Sequence, residues 1–182
     1  MKEFIAKYKD QLALTIVIVA GLAIVAALIA LFVYNNTPKV VYQPTDACTV
    51  FTLPEAQELL GEAAVQSGIQ APTNEGNFAT SRCGYTDANV DAEKLIVAAV
   101  TVRSGFNDNG ASENRVEFTQ ATPTSNIDEI QDLGDKAYFN HRLGQLNVLN
   151  DRDWYIFSYG IGSDPGGNTP EDAVELAKKV LN

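Results

Sequence analysis

The sequence predicts an α+β domain, an antiparallel sheet with helices packed on one face, preceded by a single N-terminal transmembrane helix. Three observations predict it. Residues 12–33 are an apolar run broken only by Thr15 and Gly21; further on, stretches of period-two alternation are joined by short turns; and amphipathic helices with strong start signals stand near both ends of the remaining chain. Strands and helices segregated in this way argue against βαβ units.

The apolar run comes first. At 1.5 Å per residue its roughly 22 residues reach about 33 Å, enough for a hydrocarbon core of about 30 Å. It is too long for the apolar region of a cleavable signal, and no convincing A-x-A site precedes Asn35, so a retained signal anchor is expected. The expected organisation is a cytoplasmic tail at 1–10, the anchor at 11–34, a linker at 35–47 and an extracytoplasmic domain at 48–182. Lys2, Lys7 and Lys9 precede the span and only Lys39 follows closely, which keeps the N-terminus cytoplasmic by the positive-inside rule. Phe4, Tyr8 and Tyr34 flank the span where interfacial aromatics sit. Ala13, Ala20, Ala23, Ala27 and Ala30 fall near one stripe, which suits close approach by a partner transmembrane helix; without a G-x-x-x-G pattern, alanine as filler is the plainer account. Pro38 and Pro44 make the linker a short, semi-extended tether.

Charge narrows the partners. The chain has thirteen basic and twenty-three acidic residues; setting aside Lys2, Lys7, Lys9, Glu3 and Asp10 leaves ten against twenty-one, a net charge near −11 for the exported part. Its basic residues are scattered, so nucleic acid and anionic lipid headgroups are poor partners for it. Cys48 and Cys83 both lie in that part, where an oxidising compartment lets them pair. A pair closing about 35 residues, without C-x-x-C spacing, points to a structural disulfide rather than redox or metal chemistry.

The domain elements follow in order. Thr52-Leu53-Pro54-Glu55 is a capping box with proline in the first turn, and Leu53, Ala56, Leu59 and Leu60 form one apolar face before Gly61. Residues 62–77, with Pro72 and Gly76, read as a loop, with a helical turn at 63–66. Ala79, Ser81, Cys83 and Tyr85 alternate as a strand, and the apolar residues 95–102 make its more central antiparallel neighbour. Residues 111–120 fit a helix, although Val116 and Phe118 also suit a strand. A short strand at 127–133 precedes a meander of 136–142, 145–149 and 154–161, with turns at 143–144 and 150–153. Thr169-Pro170-Glu171-Asp172 caps the last helix, whose apolar face holds Ala173, Leu176, Ala177, Val180 and Leu181. Helix followed by antiparallel strands occurs twice, which suggests a duplicated unit.

Several segments, 48–61 (CTVFTLPEAQELLG), Cys83-Gly84-Tyr85, Leu133-Gly134-Asp135-Lys136-Ala137-Tyr138, Leu146-Asn147-Val148 and 176–181 (LAKKVL), together resemble the envelope-anchored ectodomains of actinobacterial lipoproteins of unknown function. The resemblance implies an extracytoplasmic α+β domain whose cysteine pair, here Cys48 and Cys83, joins the start of the first helix to the first strand. It brings no catalytic residues. The chain departs from it in having no lipobox cysteine, the helical anchor standing in its place.

Candidate chemistry is sparse. His141 is the sole histidine, and no serine or free thiol is placed beside it, so a half-exposed sheet residue is the better account. The glycine-rich stretch 160–167 lacks the third glycine of a dinucleotide turn, where Pro165 stands, and the lysine of a P-loop. Asn107-Asp108-Asn109, and Asp164 with Asn168, offer oxygen ligands without calcium-loop spacing and suit turns better. No catalytic, cofactor or metal residue is therefore assigned. Tyr138, Trp154 and Tyr155 are the candidate binding surface, although strand aromatics usually belong to a core. The leading expectation is an anchored extracytoplasmic binding or interaction module. An envelope hydrolase, marked by a cleft with converged carboxylates, and a structural subunit held through Ala20, Ala23, Ala27 and Ala30 are the alternatives.

Overall fold

The computed structural model describes residue 19 and residues 21–34, 41–89, 95–161 and 167–181. Residues 1–39 and 40–182 are separate compact units. In the first, residues 21–34 form helix α1, and every described side chain on it is exposed, including Leu22, Ile24, Leu28 and Phe32. Ala23, Ala27 and Ala30 lie on α1, while Ala13, Ala20 and the rest of residues 12–18 are outside the described residues. Among the described residues, no helix is long and apolar enough to cross a membrane.

The second unit is an α+β fold around one seven-stranded, wholly antiparallel sheet. A single turn, α2 (Ala47–Val50), leads into α3 (Leu53–Leu60). Strands β1 (Ala64–Asn74), β2 (Phe78–Asp87) and β3 (Ile96–Gly105) form one meander. Helix α4 (Asp108–Ala121) then crosses to the far edge, and β4 (Ile127–Ile130), β5 (Lys136–Asn140), β6 (Gln145–Asn150) and β7 (Asp153–Ile161) return inwards before α5 (Pro170–Leu181). The spatial order is β1-β2-β3-β7-β6-β5-β4, so the two meanders join where β7 pairs with β3.

Local signals explain most boundaries. The Glu55 carboxylate accepts from Thr52 N (2.6 Å) and Thr52 Oγ1 (2.8 Å), closing the start of α3. Asp46 Oδ1 accepts from Cys48 N and caps α2, which the sequence did not predict. Asn107 Oδ1 accepts from Gly110 N and makes the 108–121 segment a helix, so Asn107 is a cap rather than a cation ligand. In α5, Asp172 N donates to Thr169 Oγ1. Strand β5 stops at Asn140 because its Oδ1 accepts from Arg142 N and Leu143 N, folding residues 141–144 into a turn rather than extending the strand to 142.

Two expectations are corrected. Residues 64–74 are the edge strand β1 and not a loop. An edge strand exposed on both faces has no reason to alternate, and β1 has only one buried residue, Ala64. Its register slips between Gln66 and Gly68 and again between Gln70 and Thr73, which accommodates Pro72.

The helices also do not share one face. On the first face, Ala56 of α3 and Ala173, Leu176 and Ala177 of α5 pack on a core of Val100, Val102, Phe139, Leu146, Val148 and Phe157. On the second, Phe118 of α4 packs with Tyr138, Leu149 and Trp154. Alternation along β5, β6 and β7 sends neighbouring residues to these opposite cores. With α3 and α4 on opposite faces, the two halves present their first helices to different sides of the sheet.

Close backbone approach seats α4. A Cβ on Gly105 would lie 2.6 Å from Ala111 N, and one on Gly110 would lie 2.0 Å from Asn77 O. Only glycine permits this contact. Deeper in the same contact, the fully buried Asn114 donates from Nδ2 to Arg103 O and Arg152 O, both at 2.8 Å. The Arg103 guanidinium pairs with Glu117 and lies over the Phe78 ring.

Candidate functional site

Cys48 and Cys83 are bonded, with Cα atoms 5.0 Å apart, and tie α2 to β2. Gln66 Nε2 lies 3.5 Å from both sulfurs. The three aromatic candidates do not make one surface. Tyr138 is buried beneath α4 on the second face, whereas Tyr155 is buried on the first face. Trp154 is half-buried beside Phe118, its Nε1 donating to Asn147 Oδ1 at 3.1 Å. They belong to two cores, as inward strand positions do. His141 is exposed in the turn after β5, with Nε2 2.9 Å from Asp128 Oδ2. Asn168 Nδ2 donates to Gly144 O. Residues 162–166, including Asp164, lie outside the described residues.

A polar, largely buried cluster clamps the segment before α2. Thr45 Oγ1 donates to Asp153 Oδ2 at 2.6 Å, Ser104 Oγ donates to Asp153 Oδ1 at 2.7 Å, and Thr45 N donates to Ser104 Oγ. Ala47 N donates to Ser81 Oγ, Tyr42 N donates to Phe106 O, and the Arg152 guanidinium lies over the Tyr42 ring. Residues 42–47, placed in the linker by their prolines and polarity, are thus bonded to the sheet. Burial raises the Asp153 pKa above the ordinary carboxylate value, against the opposing hydrogen bonds from Thr45, Ser104 and Tyr155. Burial, reinforced by the neighbouring Asp153, pushes the Tyr155 phenol up to about 12. The hydrogen bonds to Asp153, Ser104 and Ser81 make this a structural fastening.

A cleft of about 540 Å³ opens between the C-terminal turn of α4 and the β4–β5 hairpin. Phe118, Ile127 and Tyr138 line it from the second core, Leu133 and Ala137 line it from the first, and Glu129, Asp132, Asp135 and Lys136 bring charges to it. Glu129 is the register partner of Tyr138, which places Ile127, Glu129, Lys136 and Tyr138 on the second face. Burial raises the Tyr138 pKa, with a hydrogen bond involving Thr122 pulling the other way. Gly134, at φ +61°, turns the loop between β4 and β5 so closely over β6 that a Cβ would lie 2.6 Å from Leu149 O. The volume lies within the range of sites that hold small molecules or peptide side chains, about 300–1,000 Å³. Among the described residues, no group of three or more His, Cys, Asp or Glu is arranged to hold a metal ion.

Of the candidate residues, only Tyr138 reaches this cleft. The others that form it carry no motif; the signal available in the sequence was the density of charge around Leu133-Gly134-Asp135-Lys136, on either side of a tight turn. No family model matches the chain, nor does any curated protein or solved structure.

Proposed function

We propose that this chain is a single-pass membrane protein whose extracytoplasmic domain is a binding module for a partner or ligand at the cell envelope. The cleft between α4 and β4 carries the binding part of this reading, because it sets the charged side chains of Glu129, Asp132, Asp135 and Lys136 beside apolar ones on a stably cross-linked domain. The address is supported by the apolar run at 12–33, by the exposed apolar side chains all round α1, and by Lys2, Lys7 and Lys9 ahead of them. A disulfide suits an oxidising compartment on the far side of that membrane.

Two measurements on cells making the full chain test it. Protease added outside intact cells should remove the C-terminal domain, and thiol alkylation before reduction should leave Cys48 and Cys83 unlabelled. Digestion only after lysis would overturn the address. Crosslinking on intact cells should recover a partner or ligand attached near β4, and recovery of none would count against a binding module.

A further inference from the structure

We infer that the cleft beside β4 receives a basic, extended peptide segment of a partner protein, which adds to β4 as an eighth strand. This rests on the binding-module reading and gives its site and partner class.

The backbone supplies the first argument. The sheet order ends at β4, which among the described residues pairs only with β5. Its register has no slip, with Ile127 opposite Asn140 and Ile130 opposite Ala137. His141 N donates to Asn126 O, so alternation along the antiparallel ladder turns Asn126, Asp128 and Ile130 towards β5. Ile127 and Glu129 therefore turn their N–H and C=O groups outwards, in position to bond an added strand. The opposite edge is less suitable, because the two slips in β1 and Pro72 interrupt its ladder.

The side chains supply the second. Alternate residues of an added strand point to opposite faces. On the second face they meet Ile127, Phe118 and Tyr138; Ile130, packed against the first core, brings an apolar group to the same edge from the other side. Around these side chains stand Glu129, Asp132 and Asp135 against the single Lys136, and α4 ends at the cleft with no basic residue in its last turn. Its carbonyl end adds negative potential there. Apolar contacts beneath and negative charge around them fit a segment in which lysine or arginine alternates with apolar residues. The spread of the carboxylates suits charges distributed along a strand better than one metal ion.

Titration of the full chain in non-ionic detergent tests this, read by emission from Trp154, the only tryptophan, which packs on the cleft residue Phe118. The probe is a capped pentapeptide of alternating lysine and valine. Saturable binding is expected. N-methylating its backbone amides should weaken binding about tenfold, the worth of a lost ladder hydrogen bond or more. Glu129→Gln and Asp132→Asn should each weaken it about threefold, as partly exposed ion pairs do. Glu129→Pro, which removes one outward N–H at an edge where proline is tolerated, should weaken it further than Glu129→Gln. The reduced-charge variants and the methylated peptide keep the test decisive if Glu129→Pro misfolds. No binding at millimolar peptide overturns the proposal, as does equal binding of the methylated peptide or of a glutamate-for-lysine peptide. Binding of n-butylamine as tight as that of the peptide overturns it in favour of a small amine. Failure here with the domain accessible on intact cells removes the peptide class alone; a domain protected until lysis removes the address and leaves this titration standing.

Discussion

Reducing the Cys48–Cys83 bond should destabilise the whole domain, not merely loosen α2. The bond closes a separation of 35 residues. In the chain-entropy treatment, freeing a loop of that length returns about 13 cal/mol/K to the unfolded chain, or about 3.8 kcal/mol at 25 °C. Both sulfurs remain in place after reduction, and Cys83 is fully buried, so packing losses in the folded state are small beside that figure. The assay is urea unfolding of the full chain in detergent, oxidised against reduced, with the thiol state checked by mass. Trp154 is a demanding reporter because it lies on the second face with Phe118, whereas Cys83 belongs to the first core. With a slope of about 2 kcal/mol/M, the midpoint should fall by about 2 M. A midpoint that moves by less than about 0.5 M at unchanged slope would refute the argument. It would show that the covalent link constrains only the N-terminal turn, or that the reduced unfolded chain remains compact around it.

Three further outcomes test the packing. Gly110→Ala drives a methyl into Asn77 O and should cost about 2 kcal/mol in thermal or urea unfolding; a neutral result would show that α4 does not sit so close to the loop before β2. Leu176→Ala, in the fully buried face of α5, should cost about 3 kcal/mol, and a loss below about 1 kcal/mol would mean that α5 is not seated on the first core. Asp153 has a raised pKa in the fold, so its protonated form is the one the fold favours. Its contribution is complete below 3.8 and declines as pH climbs through the higher folded value. Wild type should accordingly lose stability relative to Asp153→Asn as pH rises above 3.8, and a difference that stays constant would contradict the burial argument.

The elements most legible in the sequence were those whose stability is local or whose burial is one-sided. Thr52-Leu53-Pro54-Glu55 and Thr169-Pro170-Glu171-Asp172 announce α3 and α5 because capping groups act within a few residues of one another. Strands β2 and β7 were legible from alternation, and β3, β5 and β6 from short apolar or β-rich runs between turn signals. Strand β1 was not, since its order comes from pairing with β2 and its side chains face solvent. The aromatic candidates failed for a related reason: Trp154 and Tyr155 are adjacent in a strand, and adjacency there sends them to opposite cores.

By itself, the sequence determined the apolar run, the acidic charge, the cysteine pair and the alternation of strands and capped helices, all of which depend on residue chemistry and near-neighbour spacing. Only the tertiary structure decided which face each helix covers, because periodicity says that a helix has an apolar side without saying which side of a sheet receives it. It likewise decided the cleft. Phe118, Ile127, Glu129 and Lys136 meet there because α4 carries the chain across the sheet to its far edge and β5 returns beside β4, a path set by competition for burial among distant segments.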